Sequence, residues 1–307
     1  MATDEQRDGF APILIWTRFS LVNKNVSARS WQIGRGVAPE EYIRSVVEDE
    51  SRLRPRAQIF FRHTLPNIDA AFQANPAIRH VAAASDRLPG WLLGELDAAA
   101  ARYPWFHVLK VGYEDDFDWR SALQPTLLSL AGACCRDAFV VASCRLDDDD
   151  VLAPAFFEAL GEYIKPQFKS FCVSFSRGFC GVWDEGAAAY TAFYTWKFPM
   201  NAMGLSYIGE YDAAEREWRT PYWSLPGAHE QVDERVPTIL DGRRRLFIRS
   251  LHGSNDVDLD DAGSPKPPSA LRRLFLRGSK EDDNLRKILK KSEAADIGEV
   301  RAIFVTI

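Results

Sequence analysis

Short runs dominated by apolar residues recur through the first half of the chain. They occupy residues 12–16, 78–84, 106–111 and 138–144, with a shorter run at 57–61. Each run predicts a strand. The run at 138–144 shows no alternation and is rich in β-branched and aromatic residues, which is typical of a strand buried on both faces of a parallel sheet in an α/β protein.

Segments with helical spacing of apolar residues lie between these runs. They cover residues 40–53, 89–103, 119–135 and 154–164. Pro89 stands at the start of its segment, where proline suits the first helical turn. Because strand and helix alternate, we expect a three-layer α/β sandwich with a central, mostly parallel, Rossmann-like sheet.

The pattern changes in the second half of the chain. Apolar residues at 171–175 and 179–183 flank a Ser-Arg-Gly turn and predict a hairpin, while residues 190–222 are aromatic and irregular. A helix at 227–235 and a strand at 245–251 are predicted next.

The bulk composition is that of a soluble protein. The 307 residues are 46% hydrophobic and 26% charged, with a net charge of −5, which argues against general nucleic-acid binding. No stretch approaches 18 apolar residues, and the first nine residues lack an apolar signal core, so we expect a cytoplasmic protein. Five cysteines without metal-type spacing predict reduced, mostly buried thiols.

Four consecutive aspartates, residues 147–150, follow the predicted strand at 138–144. They are expected at the carboxyl end of that strand, the edge at which open α/β sheets bind their ligands. Two unit charges about 6 Å apart repel by roughly 3 kcal/mol at an effective dielectric near 20. The run therefore needs a cation, protonation or full solvation. Mg²⁺ or Mn²⁺ shared with a phosphate is the expected partner, and a solvated acidic turn is the alternative.

Several short motifs together resemble a known family. They lie at residues 17–20, 65–66, 85–89, 145–150 and 252–255. Over about residues 12–255 the chain resembles the rhamnosyltransferases of bacterial polysaccharide synthesis, which look like GT-A-type glycosyltransferases. The resemblance implies a nucleotide-sugar donor, a divalent metal (Mn²⁺ or Mg²⁺), and transfer of a sugar, expected to be rhamnose, to a hydroxyl of a glycan or lipid-linked glycan.

The resemblance also implies the metal ligands. The Asp-x-Asp motif of GT-A enzymes aligns best with Asp147 and Asp149, and His252 matches the position of a further ligand. In an extended segment Asp147 and Asp149 fall on the same side of the chain. A one-residue shift of the motif, to Asp148 and Asp150, is the alternative.

Nucleotide-sugar contacts are implied at seven positions. They are Thr17, Arg18, Asp86, Arg87, Arg145, Asp147 and Asp150. Asp86 is expected to accept a hydrogen bond from the nucleobase, and the three arginines are expected to contact phosphate. For each arginine a surface salt bridge is the alternative.

An inverting transfer needs one base near the acceptor hydroxyl. In related enzymes an acidic residue begins the helix before the last strand, which makes Glu230 the expected base, with Asp233 and His229 as alternatives. The family motif there is usually Glu-Asp, whereas this chain has His-Glu. A nucleotide-sugar-binding protein without turnover is the second hypothesis for the whole chain.

We expect a glycosyltransferase domain at residues 1–255, with a nucleotide-binding half at about 10–150 and an acceptor half at about 151–255. Residues 256–307 are expected to be a linker and a basic helical tail. Residues 271–291 contain eight basic and three acidic side chains. An amphipathic helix there predicts contact with an anionic membrane, and packing against the main domain is the alternative.

Overall fold

The computed structural model describes residues 10–25, 39–225, 227, 229–252 and 293–307, with Glu230 described by its backbone alone. The α-helices are α1 (Pro39–Val46), α2 (Glu50–Ile59), α3 (Leu65–Ala74), α4 (Gly90–Arg102), α5 (Trp119–Ala122), α6 (Gln124–Cys134), α7 (Pro154–Gly161) and α8 (Ile297–Ile303). The strands are β1 (Ile13–Phe19), β2 (Ile78–Ser85), β3 (Phe106–Val111), β4 (Ala138–Arg145), β5 (Asp150–Leu152), β6 (Cys172–Phe175), β7 (Arg177–Asp184), β8 (Ala189–Lys197), β9 (Ser206–Asp212), β10 (Glu217–Trp218), β11 (Thr238–Asp241) and β12 (Phe247–Leu251).

A large, mostly parallel sheet forms the centre of the molecule. Its strand order is β11-β6-β9-β4-β1-β2-β3, and β10 pairs with β9. Strands β1 to β4 run parallel to one another, whereas β9 is antiparallel to β4, β6 and β10. The predicted α/β class with a mostly parallel central sheet is confirmed.

Helices cover both faces of this sheet. Alternate residues of β1 show this, because they pack in two different hydrophobic cores. Ile13 and Ile15 pack in the core that includes helices α2, α3 and α4. Leu14 and Trp16 pack with residues of α5 and α6 on the other face. A strand buried on both faces reads as a continuous apolar run, which is why β1 shows no alternation.

A second sheet, of order β5-β12-β7-β8, lies beside the first. Its strand β5 begins at Asp150, the last residue of the aspartate run, and pairs with β12 so that Asp150 lies opposite Arg249. The acidic run therefore joins the two sheets.

The strand predicted at residues 57–61 is wrong. These residues continue α2 into a π-helical turn at Phe60–Thr64, even though Pro55 lies inside the helix. The Asp49 side chain caps α2 by accepting from the Ser51 backbone N–H. Periodicity cannot separate a buried helix from a strand over so short an apolar run.

The hairpin predicted at residues 171–183 is also wrong. β6 belongs to the large sheet and β7 to the small one, so the two strands do not pair with each other. The Ser176 backbone N–H between them donates to the Asp241 carbonyl instead. The segment at 190–222 contains three strands, β8, β9 and β10. β8 pairs with the preceding strand β7 and β10 pairs with the preceding strand β9, whereas β9 also pairs with the more distant strands β4 and β6.

The last residues of the chain pack against the main body. Val300 and Phe304 of the α8 region are buried in the core of the small sheet, and the Val305 N–H donates to the Asn67 side chain at 2.9 Å. The proposed linker and the basic segment at 271–291 lie outside the described residues, so the domain boundaries and the membrane contact stay predictions. Within the described part of the chain, no helix is both long and apolar enough to cross a membrane.

All five cysteines are free thiols, and four of them are buried, as predicted.

Candidate active site

A pocket of about 200 Å³ lies at the carboxyl ends of β1 and β4. These strands are parallel neighbours, with Trp16 opposite Arg145, so the loops that follow them open at one edge of the sheet. The charged residues that line the pocket include Arg18, Arg52, Arg56, Arg145, Arg249, Asp147, Asp148, Asp149 and Asp150. The aspartate run lies at the predicted strand end, and it is surrounded by arginines.

The aspartate run is a turn and not an extended segment. The Asp150 N–H approaches the Asp147 carbonyl at 3.4 Å, and Asp148 and Asp149 have turn geometry. The expectation that Asp147 and Asp149 share one side of an extended chain is therefore wrong. Asp147 accepts three hydrogen bonds from Arg145, whereas Asp148 and Asp149 both contact Arg56.

Asp148 is a buried carboxylate with a full set of donors. Arg56 donates to its Oδ1 at 2.5 Å. The Ser20 N–H and hydroxyl approach its Oδ2 at 3.1 and 3.3 Å. Ser20 has a φ of 45°, in the left-handed region that serine rarely adopts. That backbone conformation directs the Ser20 N–H to the carboxylate.

Asp149 lies between Arg56 and His252. Its Oδ2 is 2.9 Å from an Arg56 nitrogen and 3.1 Å from His252 Nε2. Burial by itself raises the pKa of Asp149, but the nearby Arg56 and His252 outweigh it and hold the pKa below its ordinary value. Asp149 is therefore an ionised carboxylate in the interior of the site.

Asp150 has the opposite electrostatic environment. Burial, together with the charges of Asp149 and Asp147, raises its pKa well above the ordinary value, and Arg249 and Arg56 only partly oppose this. One carboxyl of the run therefore favours its protonated form unless a further cation enters the pocket.

Arg56 is the internal cation of the site, and sequence analysis did not identify it. It is 2% exposed, and it bridges Asp148 and Asp149. Arg52, one helical turn earlier on α2, donates to the Ser20 hydroxyl at 2.8 Å and to the Val46 carbonyl at 3.0 Å. The signal was the four-residue spacing of two arginines, which places them on one helix face. This spacing indicates a shared face only if both arginines lie on one helix, and the strand predicted at residues 57–61 left no helix that reached Arg56.

Asp149 and His252 are the side chains of the site that could hold a divalent ion. The Asp149 oxygen and the His252 nitrogen, 3.1 Å apart, are close enough to bind one ion together. Mg²⁺ is usually held by one or two carboxylates, with substrate phosphate and water completing its shell. Among the residues that the structure describes, no group of three or more His, Cys, Asp or Glu is arranged to hold a metal. The remaining ligands would therefore come from the substrate and from water.

Comparison with known proteins gives the family. Residues 13–262 match the family described as "Putative rhamnosyl transferase". The chain belongs to this family. Membership supports a transferase role and confirms the family resemblance seen in the sequence motifs.

The other comparisons add little. A matching solved structure is a "Putative Glucose-1-Phosphate Thymidylyltransferase" from Bacillus anthracis in complex with a sucrose. It is 11% identical over 89% of this chain and 99% of that chain, with a TM-score of 0.30. At that TM-score the similarity supports no conclusion about activity. No curated protein matches the sequence significantly.

The pocket brings together only part of the nucleotide-sugar set predicted for this rhamnosyl transferase family member. Arg18 and Arg145 line it along with the aspartates. The Thr17 hydroxyl is instead buried against His80 Nε2 at 2.8 Å. Asp86 and Arg87 are exposed outside the pocket lining, and Arg87 forms ion pairs with two glutamates of the α1 region.

The three candidate bases lie on a 3-10 turn, His229–Glu234. His229 lines the pocket, and its Nδ1 is 2.8 Å from the Met200 carbonyl. The turn that carries Glu230 therefore begins at the pocket. Asp233 is exposed and does not line it.

Proposed function

We propose that this protein is a glycosyltransferase that moves a sugar, rhamnose, from a nucleotide-sugar donor to a glycan hydroxyl in bacterial surface polysaccharide synthesis. The observation that carries the proposal is the arginine-lined pocket around the aspartate run, at the carboxyl edge of the sheet. Family membership supports the same class of reaction.

The arginines suit a nucleoside diphosphate. A planar guanidinium donates paired hydrogen bonds to phosphate oxygens. Arg249 lies 5.3 Å from the Trp196 ring centroid. It is also opposite Asp150 in the β5–β12 pairing, where its charge partly opposes the rise in the pKa of Asp150. Its charge is therefore oriented by an aromatic ring and directed at the pocket it lines. We assign the donor diphosphate to Arg18, Arg145 and Arg249.

A divalent ion is part of the proposal. Asp149 and His252 would hold it, with Asp147 at the rim of the same turn. When bound, Mn²⁺ or Mg²⁺ stabilises the negative charge that develops on the leaving nucleoside diphosphate. The high pKa of Asp150, raised by burial and by its acidic neighbours, agrees with a run that gains from an added cation.

The acceptor base is assigned to Glu230. A single displacement with inversion needs one group that takes the proton of the attacking hydroxyl. The support is positional, because His229, the residue before Glu230, lines the pocket.

A panel of nucleoside diphosphate sugars tests the proposal. Nucleoside diphosphate release is measured with Mn²⁺ and then with a chelator. We expect release from at least one rhamnose donor, and we expect the chelator to abolish it. Donor binding without release would instead support a nucleotide-sugar-binding protein without turnover.

A further inference from the structure

A second cavity, of about 710 Å³, lies at the paired ends of β7 and β8. Arg177, Trp196, Lys197, Arg245 and Glu293 line it, and we call it the second cavity. Its volume is in the range of small-molecule sites, roughly 300–1,000 Å³. None of the functions assigned above uses it.

Trp196 joins the second cavity to the aspartate pocket. The Phe198 ring stacks on Trp196, with centroids 5.0 Å apart and planes 5° apart, and the Arg249 guanidinium lies 5.3 Å from the Trp196 ring. Phe198 and Arg249 both line the aspartate pocket. The indole is therefore a shared wall, and a ligand in the second cavity would lie next to the proposed donor.

Two cations of the second cavity face each other across a strand pair. Arg177 and Lys197 lie directly opposite each other in the antiparallel pairing of β7 and β8. Like charges at such positions destabilise a sheet. Neither side chain makes an ion pair with another described residue.

The other charged groups do not remove this excess. Arg245 is paired with Glu299 at 3.0 Å. Among the described residues that line the cavity, Glu293 is the one acidic residue. Two opposed cations beside a half-buried indole are groups that suit a sugar with an anionic substituent.

We propose that the second cavity is the acceptor subsite, and that it takes a sugar carrying a carboxylate or a phosphate. The sugar ring lies against Trp196, and Arg177 and Lys197 bind its anionic group. The assignment of the bound sugar as the acceptor rests on the proposed function. The binding site itself stands on the cavity and its charges.

Titration with three small probes tests this site. The probes are methyl glucuronide, glucose 1-phosphate and neutral methyl glucoside, each followed by ligand-observed NMR on the full chain. We expect at least one anionic probe to bind about tenfold or more tightly than the neutral one, since hydrogen bonds to charged groups have about this effect. The stronger of the two anionic probes identifies a carboxylate or a phosphate as the natural group.

The variant Arg177→Gln/Lys197→Gln locates the binding. It is expected to lose about tenfold or more in affinity for the preferred anionic probe. Its Tm should stay the same or rise, because the repulsion between the opposed cations is removed; a purely structural role would lower it. Arg244→Gln is the control, since Arg244 is a neighbouring cation outside the cavity lining, and it should bind like the wild type.

Equal binding of the charged and neutral probes, or unchanged affinity in the double variant, overturns the inference. Donor hydrolysis in water, measured on the same variants, separates this failure from failure of the proposed function. Normal nucleotide release with no anionic probe binding refutes the subsite alone. Probe binding through Arg177 and Lys197 without any nucleotide release supports the site and refutes glycosyl transfer.

Discussion

Arg56 contacts two carboxylates from a position that solvent hardly reaches. Its nitrogen is 2.5 Å from Asp148 and 2.9 Å from Asp149. Replacing this buried cation leaves two buried carboxylates without their counter-ion. The loss of one member of a buried ion pair typically lowers the free energy of unfolding by about 3–5 kcal/mol.

We therefore expect Arg56→Ala to lower the free energy of unfolding by about 3–5 kcal/mol in urea denaturation. Arg54→Ala on the same helix is the control. Arg54 forms an exposed ion pair with Glu50 and lies 5.0 Å from the Trp91 ring centroid. Together these contacts should contribute no more than about 2 kcal/mol. Equal losses in the two variants would mean that Arg56 is not the counter-ion of the aspartate run.

The base assignment is tested at Glu230. Glu230→Gln should bind the donor normally and lose about 100- to 10,000-fold in transfer rate. Asp233→Asn, an exposed position on the same turn, should keep near-native turnover. If Glu230→Gln keeps its rate and His229→Gln loses it, the proton acceptor is His229.

At the scale of the elements, the turn before β9 shapes one side of the pocket. Met203 lines the pocket, and Gly204 beside it has a φ of 74° and donates its N–H to the Arg145 carbonyl at 3.0 Å. A Cβ at position 204 would lie 2.5 Å from the Phe156 ring. The turn therefore depends on glycine, both for its backbone conformation and for the space.

Gly204→Ala should lower the free energy of unfolding by about 2–4 kcal/mol, from overpacking plus the left-handed backbone. Gly94→Ala is the matched control. Gly94 lies in α4 with open space around it, so alanine there should add about 0.5–1 kcal/mol. Calorimetric melting of both variants checks this, and a neutral result at position 204 would contradict the packing described.

The buried His80 of β2, which contacts Thr17 of β1, predicts that the stability of the fold depends on pH. Burial, with a small contribution from His107, lowers the pKa of His80 to about 3, against about 6.5 in an unfolded chain. Below pH 6.5 the unfolded chain binds a proton that the folded chain takes up only near pH 3. This contribution to stability is complete above pH 6.5 and is lost as the pH falls toward 3.

Stability curves of the wild type and His80→Gln should therefore diverge in slope between pH 6 and 4, by up to about 1.4 kcal/mol per pH unit. His63 and His107, whose pKa values burial also lowers, are present in both proteins and cancel in the comparison. Parallel curves would show that His80 takes up its proton as readily in the folded state as in the unfolded one.

Some elements could be predicted from sequence because their signal is local. β4 is an almost continuous apolar run that ends at Arg145. The position of the aspartates at the carboxyl end of this strand could therefore be predicted directly. α2 could not, because Pro55 interrupts the helical pattern and the apolar residues after it are too few to show a period. Arg52 and Arg56 were missed with it.

At the scale of the whole molecule, alternation of strand and helix was enough to predict the class. It could not show that β6 and β7 belong to different sheets, since their partners β11 and β12 are more than 60 residues away in the chain. The site could be located by its acidic half, while its basic half comes from α2 and from Arg249 of β12. Those contacts depend on long-range packing that no local pattern records.

Donor affinity, measured by titration calorimetry with nucleoside diphosphate rhamnose and Mn²⁺, is the most direct test of the proposed active site. We expect the wild type to bind, and Arg249→Met and Asp149→Asn each to bind about 10- to 100-fold more weakly, because each loses a charged contact in the pocket. Arg244→Gln, outside the pocket, should match the wild type. Wild-type affinity in both pocket variants, with the fold intact, would contradict donor binding in the arginine–aspartate pocket.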